Sequence, residues 1–435
     1  MRRIFSILAV LAVAGSTIVN AKDIDLKKYG AKADGKTKVT EKFQKAIDEV
    51  SAAGGGRVVL SGGTFLTAPI SLKSGVELYI DADAVLLGSP DLEDYPERTG
   101  TKHIAPSDSM PRWRNVSLIF ADEAENIAIK GRGTIDCNGQ HFVKLKDDPN
   151  WTGIPWERTV EPRKTVARVV FFAGCKNVQV CDVTMRNQPA GWSYWVNDCE
   201  FVNFDRVKIL AAVDYPNNDG IHINSSRNVT VSNSFIETGD DAIVIRANNR
   251  TLNEQKVCER IVITNCTLRS WCNGIRIAWT NDGVIRNCIF SNLVMYDTST
   301  GVGITLPAKR GKNDWGYEPT LIENLTFSNI EMTGITGTPI SIGINPSKTV
   351  MCEAIRNLRF SEVHATSRCF PQFSGLPDKP IENITFTNCS FVRIPETELP
   401  DWRRHNMGSK NEDTSFKMQH CKGFRFINTE FTSTY

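Results

Sequence analysis

The sequence predicts an all-β fold, a single-stranded right-handed parallel β-helix with a capping helix at its N-terminal end. Two observations carry this. Seven segments resemble one another: Asn177–Asn187, Asn228–Ile236, Arg260–Leu268, Gly283–Phe290, Leu321–Ile330, Ile381–Phe391 and Gly423–Phe431. Each alternates β-branched or aromatic residues with polar ones, the period-2 pattern of a strand. Each is also broken by an Asn-Cys or Asn-Ser/Thr step, and Asn tolerates the left-handed geometry of a tight turn. Where insertions are absent the repeat recurs every ~22–25 residues, a length that suits a solenoid coil of three short strands and three turns. A leucine-rich repeat has a similar period, but its L-x-x-L-x-L signature is missing and Ile, Val, Phe and Asn dominate instead.

Along the chain, Arg2 and Arg3 precede an apolar run, Ile4 to Val13, and then small residues up to Val19-Asn20-Ala21. This is the layout of a cleavable secretory signal, too short to span a membrane. Residues 1–21 are therefore expected to be removed after Ala21, leaving a secreted or periplasmic chain of 22–435. Thr40 to Ala53 reads as an amphipathic helix with Phe43, Ala46, Ile47 and Val50 on one face, stopped by Gly54-Gly55-Gly56. It lies between strand-like Asp23–Leu26 and Val58–Leu60, as a cap on an open solenoid end would. The stretch from about residue 90 to 162 is richer in Pro, Asp and Trp and less periodic, as expected of a long loop insertion lining a groove.

Composition narrows the partners. The 435 residues are 41% hydrophobic and 23% charged, with a net charge of +2, so neither nucleic acid nor a membrane surface has an electrostatic claim. Twelve cysteines in an exported protein first suggest disulfides. Cys266, Cys288 and Cys389, however, each follow an Asn at what reads as one point of the repeat, and buried thiols in an internal ladder explain that better than bridges. No C-x-x-C pair or zinc-ligand spacing is present. The Asn-x-Ser/Thr triplets fall inside the repeat and read as turn chemistry rather than glycosylation sites.

Aligning consecutive coils sets Asp219-Gly220-Ile221-His222-Ile223 over Asp241-Ala242-Ile243-Val244-Ile245, 22 residues on. Asn273-Gly274-Ile275-Arg276-Ile277 follows, and then Val302-Gly303-Ile304-Thr305-Leu306. The aliphatic positions form core ladders, and Gly220, Ala242, Gly274 and Gly303 a ladder of small residues. Asp219 and Asp241 then stand about 5 Å apart on adjacent rungs, with Asp240 beside Asp241. Three carboxylates this close repel, so at least one holds a proton near neutral pH. One protonated acid beside ionised bases is what glycosidic cleavage requires. An exposed Asp turn or a calcium site is the alternative reading. By strict alternation Asp219 and Asp241 share parity with the buried Ile residues, so a turn or bulge must intervene for them to face solvent.

These residues resemble the polygalacturonase family, glycoside hydrolase family 28, whose signatures are roughly Asn-Thr-Asp, Gly-Asp-Asp, Gly-His-Gly and Arg-Ile-Lys. Asn217-Asn218-Asp219-Gly220 matches the first with Thr replaced by Asn, and Gly239-Asp240-Asp241 matches the second unchanged. The resemblance extends to YGAKADG, AGGGRVVLSGGTFLT and DADAVLLGSPDLEDYP near the N-terminus. It implies that Asp240 is the general acid, that Asp219 and Asp241 position and deprotonate the attacking water, and that anomeric configuration inverts. The other two signatures are broken, reading Cys272-Asn273-Gly274 and Thr305-Leu306-Pro307, so the family's His and cation pair are missing. Arg276, with Arg246, is expected to have taken over anion reading one rung earlier, unless Arg276 pairs with a loop carboxylate; Asn273 occupies the histidine's place.

His222 could serve the site or simply be a ladder residue on the outer face. Trp192, Trp195, Trp271 and Trp279 lie on coils around the aspartates, and Trp113, Trp151 and Trp156 in the early insertion, where each could stack on a sugar or pack. The expectation is a metal-independent, cofactor-free, monomeric hydrolase of α-glycosidic bonds in a pectic or other uronate-containing polysaccharide. Two rivals remain: a polysaccharide lyase, which would need a calcium cluster and a cationic base, and a non-catalytic carbohydrate-binding β-helix. The sugars flanking the bond and endo versus exo action are not legible.

Overall fold

A computed structural model of the protein describes residues 21–98, 102–103, 116–143, 165–250, 252, 254–308, 316–399 and 414–435. It is a right-handed parallel β-helix, with parallel pairing throughout the described strands. Each coil contributes one strand to an 11-stranded sheet, which runs from Ile70–Ser71 to Lys417–Gln419. The other strands of each coil join a second, 23-stranded sheet, where from Cys258–Ser270 to Cys352–Ser367 they fuse into continuous strands such as Thr320–Ile335.

Asparagine makes the corners, as its left-handed tolerance predicts. Asn228, Asn233, Asn265, Asn292, Asn329, Asn383 and Asn388 all have φ between 52° and 57°. Their amides then bond from coil to coil, Asn292 to Asn265 at 3.0 Å and Asn329 to Asn292 at 2.8 Å. The core is stacked the same way: Phe290, Phe327, Phe360 and Phe386 lie ring on ring, with centroids 4.7, 4.7 and 4.8 Å apart, the spacing of neighbouring strands. The helix spans Thr40–Ala52 and buries Phe43, Ala46, Ile47 and Val50 against the first coils, as its sequence pattern anticipates.

Three expectations are corrected. The stretch 90–162 is no single loop, because Ile119–Asp122, Glu125–Lys130 and Thr134–Asp136 build a complete coil inside it. One coil is short, and averaging composition over the whole stretch conceals it. Trp113, Trp151, Trp156 and the signal segment 1–20 lie outside the described residues.

The second correction is a register slip of two. Ile221, Ile243 and Ile275 stack as aligned, but Ile275 then pairs with Val302 and Arg276 with Gly303, so Thr300, not Val302, follows Asn273. Gly301-Val302 and Gly303-Ile304 are both a small residue followed by a β-branched one. A slip of two preserves which side chains face inward, so the hydrophobic pattern cannot distinguish them.

Third, the cysteines are free and mostly buried, but Cys266, Cys288 and Cys389 do not make one ladder. Cys266 shares its column with Leu293, Ile330, Val363 and Cys389, whereas Cys288 occupies another and stacks on Leu325. Each fills an aliphatic position as a small apolar residue.

Candidate active site

The 11-stranded sheet presents its outer face to one side of the solenoid. Along it runs a column of outward positions: Ser71, Phe120, Phe171, Trp195, His222, Val244, Arg276, Gly303, Ser341 and Gln372. Asp219 lies just before Ile221–Asn224, in a stretch of turns and bends rather than in the strand. That removes the parity conflict: its carboxyl reaches outward to His222, with Oδ2 2.7 Å from Nε2. Gly220 permits the close approach, since a Cβ there would sit 2.2 Å from the Ala242 carbonyl oxygen. Backbone bonds continue the rungs through the site, from Gly220 N–H to the Asp241 carbonyl and from Ala242 N–H to the Asn273 carbonyl, both at 2.9 Å.

The Gly239-Asp240-Asp241 turn is fixed from the preceding coil. Asn218 Oδ1 accepts from the N–H of both Gly239 (2.9 Å) and Asp240 (3.1 Å), and its amide donates to the Ala212 carbonyl. Asp240 Oδ2 accepts from Asn217 N–H at 3.2 Å and its Oδ1 from Asp241 N–H at 3.0 Å. Asp241 Oδ1 accepts from Asn273, from the backbone N–H at 3.1 Å and the side-chain amide at 2.6 Å. Asn273, read from sequence as occupying a histidine's place, therefore orients a carboxylate.

All three carboxyls are buried. Burial, then the charges of Asp240 and Asp241, push Asp219 well above the usual carboxylate range. Burial and the Asp241 charge raise Asp240 to about 7. His222 is held neutral, its pKa lowered first by burial and then by Arg246 and Arg168. Asp219 and the neutral imidazole share one hydrogen bond. The site can keep a proton on Asp240 near neutral pH beside a carboxyl pair, the division of labour that glycosidic cleavage uses.

The predicted cations divide. Arg246 forms a two-point ion pair with Asp282, with Nη2 2.8 Å from Oδ1, and Asp282 also accepts from Trp279 N–H at 3.0 Å. Its guanidinium is thus committed to fixing the 279–282 turn. Among the described residues Arg276 has no such carboxylate. Its Nε donates to the Ala278 carbonyl (3.2 Å) and its Nη2 to the Thr305 carbonyl (2.7 Å), while its guanidinium lies 4.6 Å from the Trp279 ring centroid. Trp192 stacks on His222 at 3.7 Å between ring centroids. Trp195 stacks on Phe171, and Trp271 is buried.

With that geometry, comparison with known proteins decides the family. The model of glycosyl hydrolases family 28 matches residues 105–393. The chain belongs to that family. A probable polygalacturonase of Vitis vinifera is 24% identical, covering 88% of this chain and 77% of its own. An exo-poly-alpha-D-galacturonosidase of Dickeya chrysanthemi is 25% identical over 86% and 73%. Among solved structures, the Yersinia enterocolitica family 28 exopolygalacturonase superposes with a TM-score of 0.68 at 20% identity, covering 95% of this chain and 78% of that one. The protein is a polygalacturonase-like glycoside hydrolase.

Sequence reasoning missed Cys272. Its thiol lies with Asp240 and Asp241 in a group whose ligand-capable atoms are all within 4.8 Å of one another. Placed beside Asp240, it lowers that carboxyl's pKa against burial. The signal was there, in the first residue of the broken Gly-His-Gly position. Cys272→Ala is expected to move the high-pH limb of the kcat profile to higher pH, because Asp240, without the thiol, holds its proton longer. An unshifted limb in a variant of native melting temperature would contradict this.

Proposed function

We propose that this hydrolase cleaves α-glycosidic bonds in a pectic or similar uronate-containing polysaccharide with inversion of configuration, as an exported monomer whose residues 1–21 are removed. Asp240 protonates the leaving oxygen, and Asp219 and Asp241 position and deprotonate the attacking water. His222 and Asn273 orient those two carboxyls. The observation that carries the reading is Asp240: a buried carboxyl raised to about 7 beside Asp241 and one coil from Asp219. An acid with its pKa near the working pH is the most effective proton donor.

Arg276 binds the sugar carboxylate. It is a buried cation beside Asp241, held on two backbone carbonyls and stacked on Trp279. Arg276→Ala is expected to raise KM for acidic oligosaccharides by about tenfold or more, with a smaller effect on kcat, since charge-assisted hydrogen bonds contribute about 1.5–3 kcal/mol. An unchanged KM for every acidic oligosaccharide would remove Arg276 from substrate binding. Asp240, Asp241 and Cys272 are all capable of holding a cation, but the chemistry proposed here needs none.

The deciding experiment is a screen of defined pectic oligosaccharides, with anomeric configuration followed by NMR and Asp240→Asn as control. Hydrolysis with inversion supports the proposal. An unsaturated, ultraviolet-absorbing product would indicate a lyase, and activity on no substrate would favour a carbohydrate-binding role.

A further inference from the structure

On the outer face of the 23-stranded sheet, arginines meet carboxylates from coil to coil. Arg227 pairs with Glu200 at 2.9 Å, Arg286 with Glu259 at 2.9 Å and Arg356 with Glu323 at 2.8 Å. Arg359 and Arg425 depart from this pattern. Both are exposed, and the strand register puts them in one column with Thr326 and Thr385, so their neighbours along the solenoid axis are threonines. Arg359 and Arg425 are two coils apart, about 10 Å. Among the described residues neither forms an ion pair.

The two guanidiniums border a trough of about 450 Å³, lined also by Thr385 and by the asparagine corner of these coils. Along that corner the amides bond in series, Asn357 to Asn324 at 3.2 Å and Asn383 to Asn357 at 3.3 Å. The next coil breaks the series. Gly423, at φ 69°, holds the place of a further Asn, and a Cβ there would come within 2.5 Å of Asn383 Oδ1. The ladder therefore ends in the trough on the Asn383 oxygen, beside the two cations. No described side chain lining the trough is acidic. An acidic column, Glu323 and Glu382 with Arg356 between them, runs on the other side of the asparagine corner, and there Arg356 takes Glu323.

A guanidinium presents five N–H donors and binds a carboxylate at two points. Two of them in line, with an amide oxygen and a hydroxyl beside them and no acid between, match an extended chain that carries carboxylates and hydroxyls together. A small anion could not span both. We propose that Arg359, Arg425 and Asn383 form a second binding surface for a uronate polysaccharide, which holds a polymer chain on one sheet while the carboxyls on the other sheet cut it. This rests on the uronate-substrate reading above. A chain tethered there raises the concentration of polymer near the catalytic face without contact with the reacting atoms.

The test compares Arg359→Ala/Arg425→Ala with the native protein. Both side chains are exposed, so the variant is expected to melt as the native protein does; Arg359→Gln/Arg425→Gln, which keeps the bulk, is the second variant should the alanine pair unfold. In the inactive Asp240→Asn background, affinity for long polygalacturonate, read by affinity electrophoresis, is expected to fall about tenfold or more when both arginines are replaced, since each contributes charge-assisted hydrogen bonds. With Asp240 intact, kcat/KM on trigalacturonate is expected to stay at the native value. Unchanged polymer affinity in a folded double variant would overturn the proposal. So would retardation by neutral dextran equal to that by polygalacturonate, or an equal loss on trigalacturonate, which would put the effect in the catalytic groove. The two readings fail separately. A native protein that hydrolyses no pectic oligosaccharide but binds polygalacturonate through both arginines would fell the hydrolase reading and leave this surface standing. Hydrolysis by the native protein, with a double variant that binds polymer as the native does, would fell this inference alone.

Discussion

Asp240→Asn is expected to lower kcat about 10²–10⁴-fold, the contribution of a positioned general acid, while leaving the protein folded. The amide keeps the shape of the carboxyl, and its oxygen still accepts from Asn217 or Asp241 N–H. It cannot deliver a proton to a leaving oxygen. The sign of the pH dependence follows from the raised pKa of about 7. Activity falls as pH rises through that value, because the acid must be protonated to work. Stability moves the same way in the native protein. An acid whose folded pKa exceeds its unfolded one costs stability progressively between the two values, so the native chain is weakened above pH 7 relative to pH 4. Asp240→Asn is free of that penalty and should melt at or above the native temperature at pH 8. Single-turnover rates and melting curves at pH 5 and pH 8 check both parts. Activity surviving in Asp240→Asn would remove the residue from the acid role.

Phe327→Ala is expected to destabilise the protein by about 3–5 kcal/mol. Phe327 is fully buried between Phe290 and Phe360, each 4.7 Å away, in an unbroken stack of rings. Removing one ring opens a void that the backbone cannot close, because inter-strand hydrogen bonds fix the coil spacing on both sides. In a solenoid each coil contacts only its neighbours, so the loss is local and should appear as earlier unfolding of the Thr320–Ile335 region. Denaturant titration with hydrogen exchange would show it. A loss under 1 kcal/mol would mean that adjacent coils collapse into the gap.

Much of this was legible beforehand because a solenoid writes its structure locally. Alternation gives the strands, Asn gives the corners, and a constant offset gives the stacking of Asp219 on Asp241 without knowledge of any distant contact. The coil at Ile119–Asp136 was lost because its neighbouring stretches obscure its period, and the register at Val302 because a slip of two changes nothing that hydrophobicity records.

The site divides along the same line. Sequence alone set Asp219 and Asp241 on adjacent rungs, with Asp240 beside them, since that depends only on repeat length. Tertiary structure alone decided that Asp219 turns out to meet His222, that Arg246 is taken by Asp282 36 residues on, and that Asn218 and Cys272 attend the acid. It alone brought His103 to Asp198, almost a hundred residues away in the chain. Stacking repeats with the chain and can be counted from sequence. Partners across a turn or a loop depend on side-chain direction and loop path, which no local period encodes.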